Sequence, residues 1–329
     1  MEKMRRPQIR LIFDNKDITR DVINYLLEFS YDDYAHGKAD NVEIKLEDID
    51  GIWKSNWFPQ KGLKMIPYID YNGIKVKCGE FEIDEIEASS AADVITIKGI
   101  SSFVSKSLRM QKNNKNWEHI GLKDIAGQIA RKHDFSLFFD GDDVYFNKIS
   151  QKNESDLHFL KRICEQTGMH IKVSERKIVV FEAKSYDEKK PLKTFVRGKS
   201  DILSFNLRTK SSDIYRGCVV QYFDEEKKKN VEYYYEIKDM HVGQILKINK
   251  RAHSLAEAER LAKCELRNKN QFEVEGSIET EGDISLFGGQ NIALSGFGVF
   301  DGNYFIEEAR HTISAKYTTT LNIRKVLCY

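Results

Sequence analysis

The feature that most limits what this chain can become is period-two alternation. Between Ile9 and about Ser107 the runs IRLIF, VEIKL, LKMIPYIDY, IKVKCGEFEIDEIEA and VITIKGI place apolar residues mostly at every second position. A strand sends successive side chains to opposite faces, so such runs bury one face of a sheet and wet the other. Short strands of this kind, separated by turn residues, predict an antiparallel barrel or sandwich. Between MIPYIDY and IKVKC, Asn72-Gly73 predicts a two-residue hairpin turn with Tyr71-Asn72-Gly73-Ile74 at its tip.

From 108 to about 198 the period changes. QKNNKN (111 to 116) reads as a polar linker, and GLKDIAGQIARKH then places Leu122, Ile125, Ala126, Ile129 and Ala130 on one helical face. In LFFDGDDVYF, Asp140-Gly141 reads as the turn of a hairpin between Leu137–Phe139 and Val144–Phe146. A second helix runs through ESDLHFLKRICEQTG, with Asn153 or Ser155 as N-cap, Leu157, Leu160, Ile163 and Cys164 inward, and Gly168 at its end. The strands MHIKV and KIVVFEA complete an α/β unit.

After 199 strands return as ILSFNLRT, YRGCVVQYF and VEYYYEI, interrupted by one helix that starts at Ser254 with Glu257 in capping-box position. Its inward stripe is Leu255, Ala258, Leu261, Ala262 and Leu266. At 329 residues the chain exceeds the size of a single core. The predicted fold class is mainly β with an α/β insert: a first β-barrel domain (1–107), an α+β middle domain (108–198) and a second β-barrel domain (199–329) with one helix at 254–268.

Five glycines fall in LFGGQNIALSGFGVFDGNYF, residues 286 to 305. A phosphate loop requires a helix N-terminus directly after the glycines, and none is patterned here. Ile292, Leu294, Val299 and Phe305 sit in short alternating runs instead, so these are strand and turn glycines.

The sequence offers no catalytic, metal or cofactor set. Lys and Arg total 52 against 51 Asp and Glu, so there is no electrostatic footprint for direct nucleic-acid binding. The five cysteines lack metal-ligand spacing, and no apolar run is long enough for a membrane span. Asp140, Asp142 and Asp143 open like a calcium loop, but Tyr145 and Gln151 stand where it needs Gly and Glu. His158 and Cys164 lie about 240° apart on a helix and do not meet. His133 reads as a helix C-terminal residue and His311 as a solvent-facing strand residue. The aromatic residues Trp53, Trp57, Phe58, Tyr233, Tyr235, Phe297 and Phe300 are the candidate interface residues, since Tyr and Trp are enriched at protein contacts.

Several stretches in order resemble the phage late control gene D family: WFPQKGLKMIPYIDYNG, GEFEIDEIEASSAADVITIKGISS, GLKDIAGQIARKHDFSLFF, ESDLHFLKRICEQTGMHIKV, and AHSLAEAERLAKCELRNKN leading into GSIETEGDISLFGGQNIALSGFG. The sharpest is Gly-x-Phe-x-Ile-Asp-Glu-Ile at 79 to 86. Members of this family are baseplate hubs of contractile phage tails and tail-like bacteriocins, similar to the hub module of type VI secretion spike proteins. The resemblance implies a homotrimer whose two barrels per chain make a ring of six, joining a six-fold tail tube to a three-fold central spike. Implied partners are the tail tube protein, the central spike protein and other baseplate proteins, with the tape measure protein as a further candidate. No cofactor is implied. Assembly in the bacterial cytoplasm is expected. The chain ends at Tyr329, shortly after the last strand, so the expectation is a separate spike and any wall hydrolase on another chain. The rival readings are a tail-carried cell-wall hydrolase using Glu154 or Asp156, and a wall-binding module using Trp53 and Trp57.

Overall fold

The computed structural model describes residues 7–90, 93–101, 106–224, 228–238, 240, 243–252 and 254–329. The first part comprises β1 (Gln8–Phe13), β2 (Lys16–Asp17), a helical turn α1 (Thr19–Val22), β3 (Leu26–Tyr34), β4 (Asn41–Glu47), β5 (Lys64–Tyr71), β6 (Ile74–Lys77), β7 (Phe81–Ser89) and β8 (Val94–Ser101). They pair in the order β3-β4-β8-β7-β5-β1-β2, with β6 on β5. Ile9 and Leu11 from one end of that path share a core with Phe29 and Tyr31 from the other, so the sheet curls round its own apolar face. The alternation is literal in β4, where Val42, Ile44 and Leu46 are buried between half-exposed polar residues. Asn72 and Gly73 both have positive φ, 55° and 81°, and join β5 to β6 as the hairpin turn expected.

The middle part holds α2 (Lys106–Met110), β9 (Lys112–Gly121), α3 (Leu122–Lys132), β10 (Ser136–Asp140), β11 (Tyr145–Ser155), α4 (Asp156–Gln166), β12 (Met169–Ser174), β13 (Lys177–Glu182) and α5 (Ala183–Asp187). Two expectations fail here. QKNNKN is no linker: most of it belongs to β9, which pairs with β11 in a two-stranded ribbon. Most of this ribbon is left uncovered, so nothing forces apolar residues onto it apart from Trp117 and its neighbours. Asp140-Gly141 is not a hairpin turn either. β10 runs parallel to β13 while β11 goes to β9, so the chain changes sheets at this point. The helices match their patterns: Leu122, Ile125, Ala126, Ile129 and Ala130 of α3 are buried, as are Leu160, Ile163 and Cys164 of α4. Phe159 joins them, and Leu157 lies at the rim. Ser155 is the N-cap, accepting from His158 N at 3.2 Å.

The last part contains β14 (Lys193–Val196), β15 (Ile202–Thr209), β16 (Tyr215–Asp224), β17 (Lys229–Glu236), β18 (Gln244–Ala252), α6 (Leu255–Asn270), β19 (Val274–Glu281), β20 (Asn291–Ser295), β21 (Gly302–Ile313) and β22 (Tyr317–Lys325). β14, β20, β21, β22, β19 and β15 wrap a core of Phe195, Ile278, Leu294, Ile306 and Leu321. β16 to β18 form a separate sheet under α6. Ser254 caps α6 by accepting from Glu257 N at 3.2 Å. Ala258, Ala262 and Leu266 face inward, but Leu255 is 52% exposed. Side chains lean toward a helix's N-terminus, so the first residue overhangs the end of the sheet it was expected to cover.

β21 pairs with β3 from Glu308↔Tyr34 to Ile313↔Phe29, which fuses the two β parts into one sheet. The glycine stretch serves this union. A Cβ on Gly288 would lie 2.6 Å from the Ala35 backbone nitrogen, so only glycine lets the two segments approach.

Candidate functional site

The aromatic residues singled out by sequence divide once they are placed. Trp53 is 5% exposed and belongs to the first core, edge-on to Tyr25 at 5.9 Å and to Trp57 at 5.4 Å. Trp57 and Phe58 are 45% and 51% exposed, alongside the exposed Ile49. Tyr233 and Tyr235 lean against α6, and it is Tyr234 that faces out. Phe297 is buried against Phe205 at 5.1 Å and Phe300 is half-buried; between them Val299 is 85% exposed. Of this set, apolar contact surface thus rests on Trp57 and Phe58, with Val299 beside Phe300 and with Leu203 and Phe205 of β15 exposed as well.

The larger feature is the sheet β15-β19-β22-β21-β3-β4-β8-β7, eight strands spanning both β parts. Among the described residues β15 pairs only with β19 and is an open edge; β7 continues to β5 through Phe81 and Glu82, but its Asp84–Ser89 stretch pairs only with β8 and is open on the other side. An open edge is a template for another strand. The two edges differ in charge. Asp84, Glu85 and Glu87 stand exposed on β7; Arg197, Lys199, Arg208 and Lys210 stand exposed on and beside β15.

The polar groups that are buried tie the parts together. Lys172 Nζ, on β12, lies 2.6 Å from Asp33 Oδ1, 3.3 Å from Asp40 Oδ1 and 2.7 Å from the Tyr34 carbonyl. Gly288 N donates to the other Asp33 oxygen at 2.7 Å. Burial pulls the Lys172 pKa down, but the two carboxylates outweigh it and leave the pKa raised. For Asp40 burial dominates and pushes the carboxyl up to about 6 against the pull of Lys172. A second cluster joins α5, α6, β21 and β22. Asp187 receives Arg324 on both oxygens, at 3.0 and 3.1 Å, and Arg267 as well. Arg324 Nε reaches Glu307 at 2.6 Å, Glu307 lies 3.1 Å from His36 Nε2, and His36 stacks on His170 with centroids 3.5 Å apart.

The residues proposed for catalysis are engaged structurally. Glu154 holds Arg162 with both oxygens at 3.0 Å. Asp156 accepts from Asn113, Gln151, Lys132 and His133 at 2.7 to 2.9 Å. Burial alone would raise the Asp156 pKa, yet those hydrogen bonds hold it below the usual carboxylate value, the wrong direction for a general acid. Burial pushes the Cys164 thiol far up, so it is no thiolate nucleophile. His311 is not solvent-facing as expected. It is 1% exposed, 2.9 Å from Tyr317 Oη and 3.0 Å from the Leu286 carbonyl. A bulge between Ile306 and Glu308 shifts the strand's phase and turns Ala309, His311 and Ile313 to the inner face. Among the described residues no helix is long and apolar enough to cross a membrane.

A family model described as phage tail baseplate hub matches residues 77–317. A "Probable baseplate hub protein" of Escherichia phage P2 is 29% identical over 180 residues, 54% of this chain and 46% of that protein; its counterpart in Escherichia phage 186 is 25% identical over 182 residues. The chain thus matches about half the length of these curated relatives. Among solved structures, the tail protein from Neisseria meningitidis MC58 superposes with a TM-score of 0.76 at 13% identity, covering 97% of both chains. The 43 kDa tail protein of prophage MuSo2 from Shewanella oneidensis gives 0.73 at 12% identity, covering 96% of this chain and 98% of that one. An E. coli type VI secretion component, described as structurally similar to T4 tail proteins gp27 and gp5, gives 0.56 at 11% identity over 97% and 76% of the two chains. At these identities the structures speak for the fold alone.

Proposed function

The chain belongs to the phage tail baseplate hub family, and from that premise we propose that it is a structural hub: a homotrimeric adaptor joining a six-fold tail tube to a three-fold central spike. The observation that carries the reading is a pair of open edges on one continuous sheet, basic on β15 at its end and acidic along Asp84–Ser89 of β7, beyond the point where β7 leaves β5. Edges that differ cannot meet in a two-fold dimer using the same patch on both sides. They meet head to tail, and a head-to-tail contact forms a ring when its rotation closes. Three chains with two β units each give six similar units, the number a six-fold tube requires. Within the chain the β21–β3 pairing joins one unit to the next; the β15 and β7 edges are the counterpart between chains.

In this reading the partners are the tail tube protein, the central spike protein and other baseplate proteins of a phage tail or tail-like bacteriocin, assembled in the bacterial cytoplasm. Trp57, Phe58 and Val299 lie away from the core and serve contacts to those neighbours. The test is mass by native mass spectrometry, alone and after mixing with the spike protein. Three chains per particle is the expected result. A strict monomer in both conditions rejects the hub.

A further inference from the structure

Between the β9-β11 ribbon and α3 lies a cavity of about 310 Å³, within the roughly 300–1,000 Å³ range of binding clefts. Asn113, Lys115, Trp117, Gln128, Lys132 and Asp156 line it, and Ile129 supplies apolar surface. Its polar groups are unevenly satisfied. Asp156 is saturated, accepting from Asn113, Gln151, Lys132 and His133. Lys115 has no carboxylate partner among the described residues. Its ammonium rests 3.4 Å from the centre of the Trp117 ring and donates to Gln128 Oε1 across a long 3.4 Å. Burial and the neighbouring Lys132 cation pull the Lys115 pKa down, and Asp156 offsets only part of that. Trp117 is 4% exposed, yet its indole N–H has no hydrogen-bond partner. A buried donor in that state is costly, and an acceptor entering the cavity would satisfy it.

The surrounding charge has the same bias. On β9, α3 and β11, Lys112, Lys115, Lys123, Arg131 and Lys152 have no ion pair among the described residues, against one such acid, Asp124. Glu118 and Glu154 are taken by Lys148 and Arg162.

We propose that this cavity is a docking pocket for an acidic segment of a neighbouring baseplate protein, one Asp or Glu side chain of which enters between Lys115 and Lys132. The carboxylate draws the Lys115 ammonium off the Trp117 ring, exchanging a cation–π contact for a charge-assisted hydrogen bond. Gln128 turns its oxygen to Lys115, which leaves its amide NH2 to donate to the second carboxylate oxygen. Ile129 receives the methylene stem, which favours a side-chain carboxylate over a phosphate group. The unpaired cations around the cavity favour further acids beside the one that enters. The hub reading supplies only the source of the segment; the pocket lies within the middle part of one chain.

The experiment titrates the full chain with acetyl-Gly-Asp-Glu-Gly-amide, with its neutral twin acetyl-Gly-Asn-Gln-Gly-amide and with inorganic phosphate, reading heat and tryptophan emission. The expected result is saturable binding of the acidic peptide alone, weakening as salt rises. Lys115→Met should lose at least about tenfold in affinity while Lys115→Arg keeps most of it. Lys148→Met removes a charge of the same ribbon outside the cavity and should lose less than about twofold. Emission should change in the wild type and stay constant in Trp117→Phe. Equal affinity for the two peptides, binding of neither, or an equal loss in Lys148→Met would each overturn the proposal. Phosphate binding with the same dependence on Lys115, without peptide binding, would overturn it in favour of a phosphate-bearing polymer. Mass measured on the same sample separates the two readings: a permanent monomer that binds the acidic peptide removes the ring and keeps the pocket, while a trimer that binds neither peptide removes the pocket alone.

Discussion

Arg324 grips both carboxylate oxygens of Asp187, at 3.0 and 3.1 Å, with essentially no exposure of either side chain. The pair joins the last strand to the end of the middle part across 137 residues of sequence. Arg267 shares the same carboxylate from α6, so Asp187 compensates two buried guanidinium groups at once, with Glu307 taking part of Arg324. Removing one partner of a buried pair leaves an uncompensated charge, which costs about 3–5 kcal/mol. Asp187→Ala is therefore expected to lose at least that much in urea unfolding. Asp187→Leu with Arg324→Met and Arg267→Met, which removes the carboxylate and both guanidinium groups it compensates, should recover a good part of it; a loss in the triple variant as large as in the single one would deny the charge account.

Acidification should act through three buried groups with opposing signs. Burial holds the pKa of His170 well below its usual value and lowers that of His311 too. For such a group the unfolded chain binds the proton more readily, so stability is present above the unfolded value near 6.5 and is lost as pH falls below it. Asp40 is raised to about 6 from 3.8, so its contribution runs the other way: the folded chain gains as pH falls through 6. Wild type should lose stability between pH 6.5 and 4 by less than the histidines alone dictate. In Asp40→Asn the offset is gone, and the loss should steepen by up to about 1.4 kcal/mol per pH unit. Chemical denaturation across that pH range reads the slopes, and equal slopes for the two proteins would contradict the sign assigned to Asp40.

Gly288 supports the fused sheet. A Cβ there would stand 2.6 Å from Ala35 N and 2.8 Å from Asp33 O, both backbone atoms that cannot swing aside. Gly288→Ala should force the segments apart and weaken the Gly288 N to Asp33 hydrogen bond, which in turn loosens Lys172. A cost of about 1–3 kcal/mol follows from overpacking, with faster amide exchange in β3 and β21 than in α3. Unchanged exchange in β3 would show that the backbone has room the geometry denies it.

What the sequence made legible was local. Period-two runs located most strands and their inward residues, and the 3.6 period located α3, α4 and α6 with the correct buried faces, because each pattern reports one element's own exposure. Pairing is not local. Asp140-Gly141 has hairpin chemistry, yet β11 finds β9 instead; the polar QKNNKN is a strand only because Trp117 and the ribbon partner make it one. Alternation alone puts His311 on the wrong face, because a single bulge flips the phase downstream of Ile306. Lys172 and Asp33, 139 residues apart, carry no signal of each other. The open edges of β7 and β15 were equally hidden, since an edge is defined by the strand that is missing beside it.

Charge decides whether those edges belong together. If the acidic β7 edge of one chain meets the basic β15 edge of the next, Asp84→Lys with Glu87→Lys puts like charges face to face and should abolish most of the trimer while leaving the monomer folded, because both side chains are exposed and neither packs a core. Reversing the other edge in the same chain, with Lys199→Glu and Lys210→Glu, restores opposite signs and should bring the trimer back. Reversal of β15 alone should fail as β7 reversal does. Rescue by the fourfold swap is the discriminating result, since general damage to the fold is not repaired by adding two further substitutions at the far end of the sheet. Native mass spectra of the four proteins at one concentration and salt carry the comparison, and a swap that stays monomeric while circular dichroism reports an intact fold would separate these two edges from the ring.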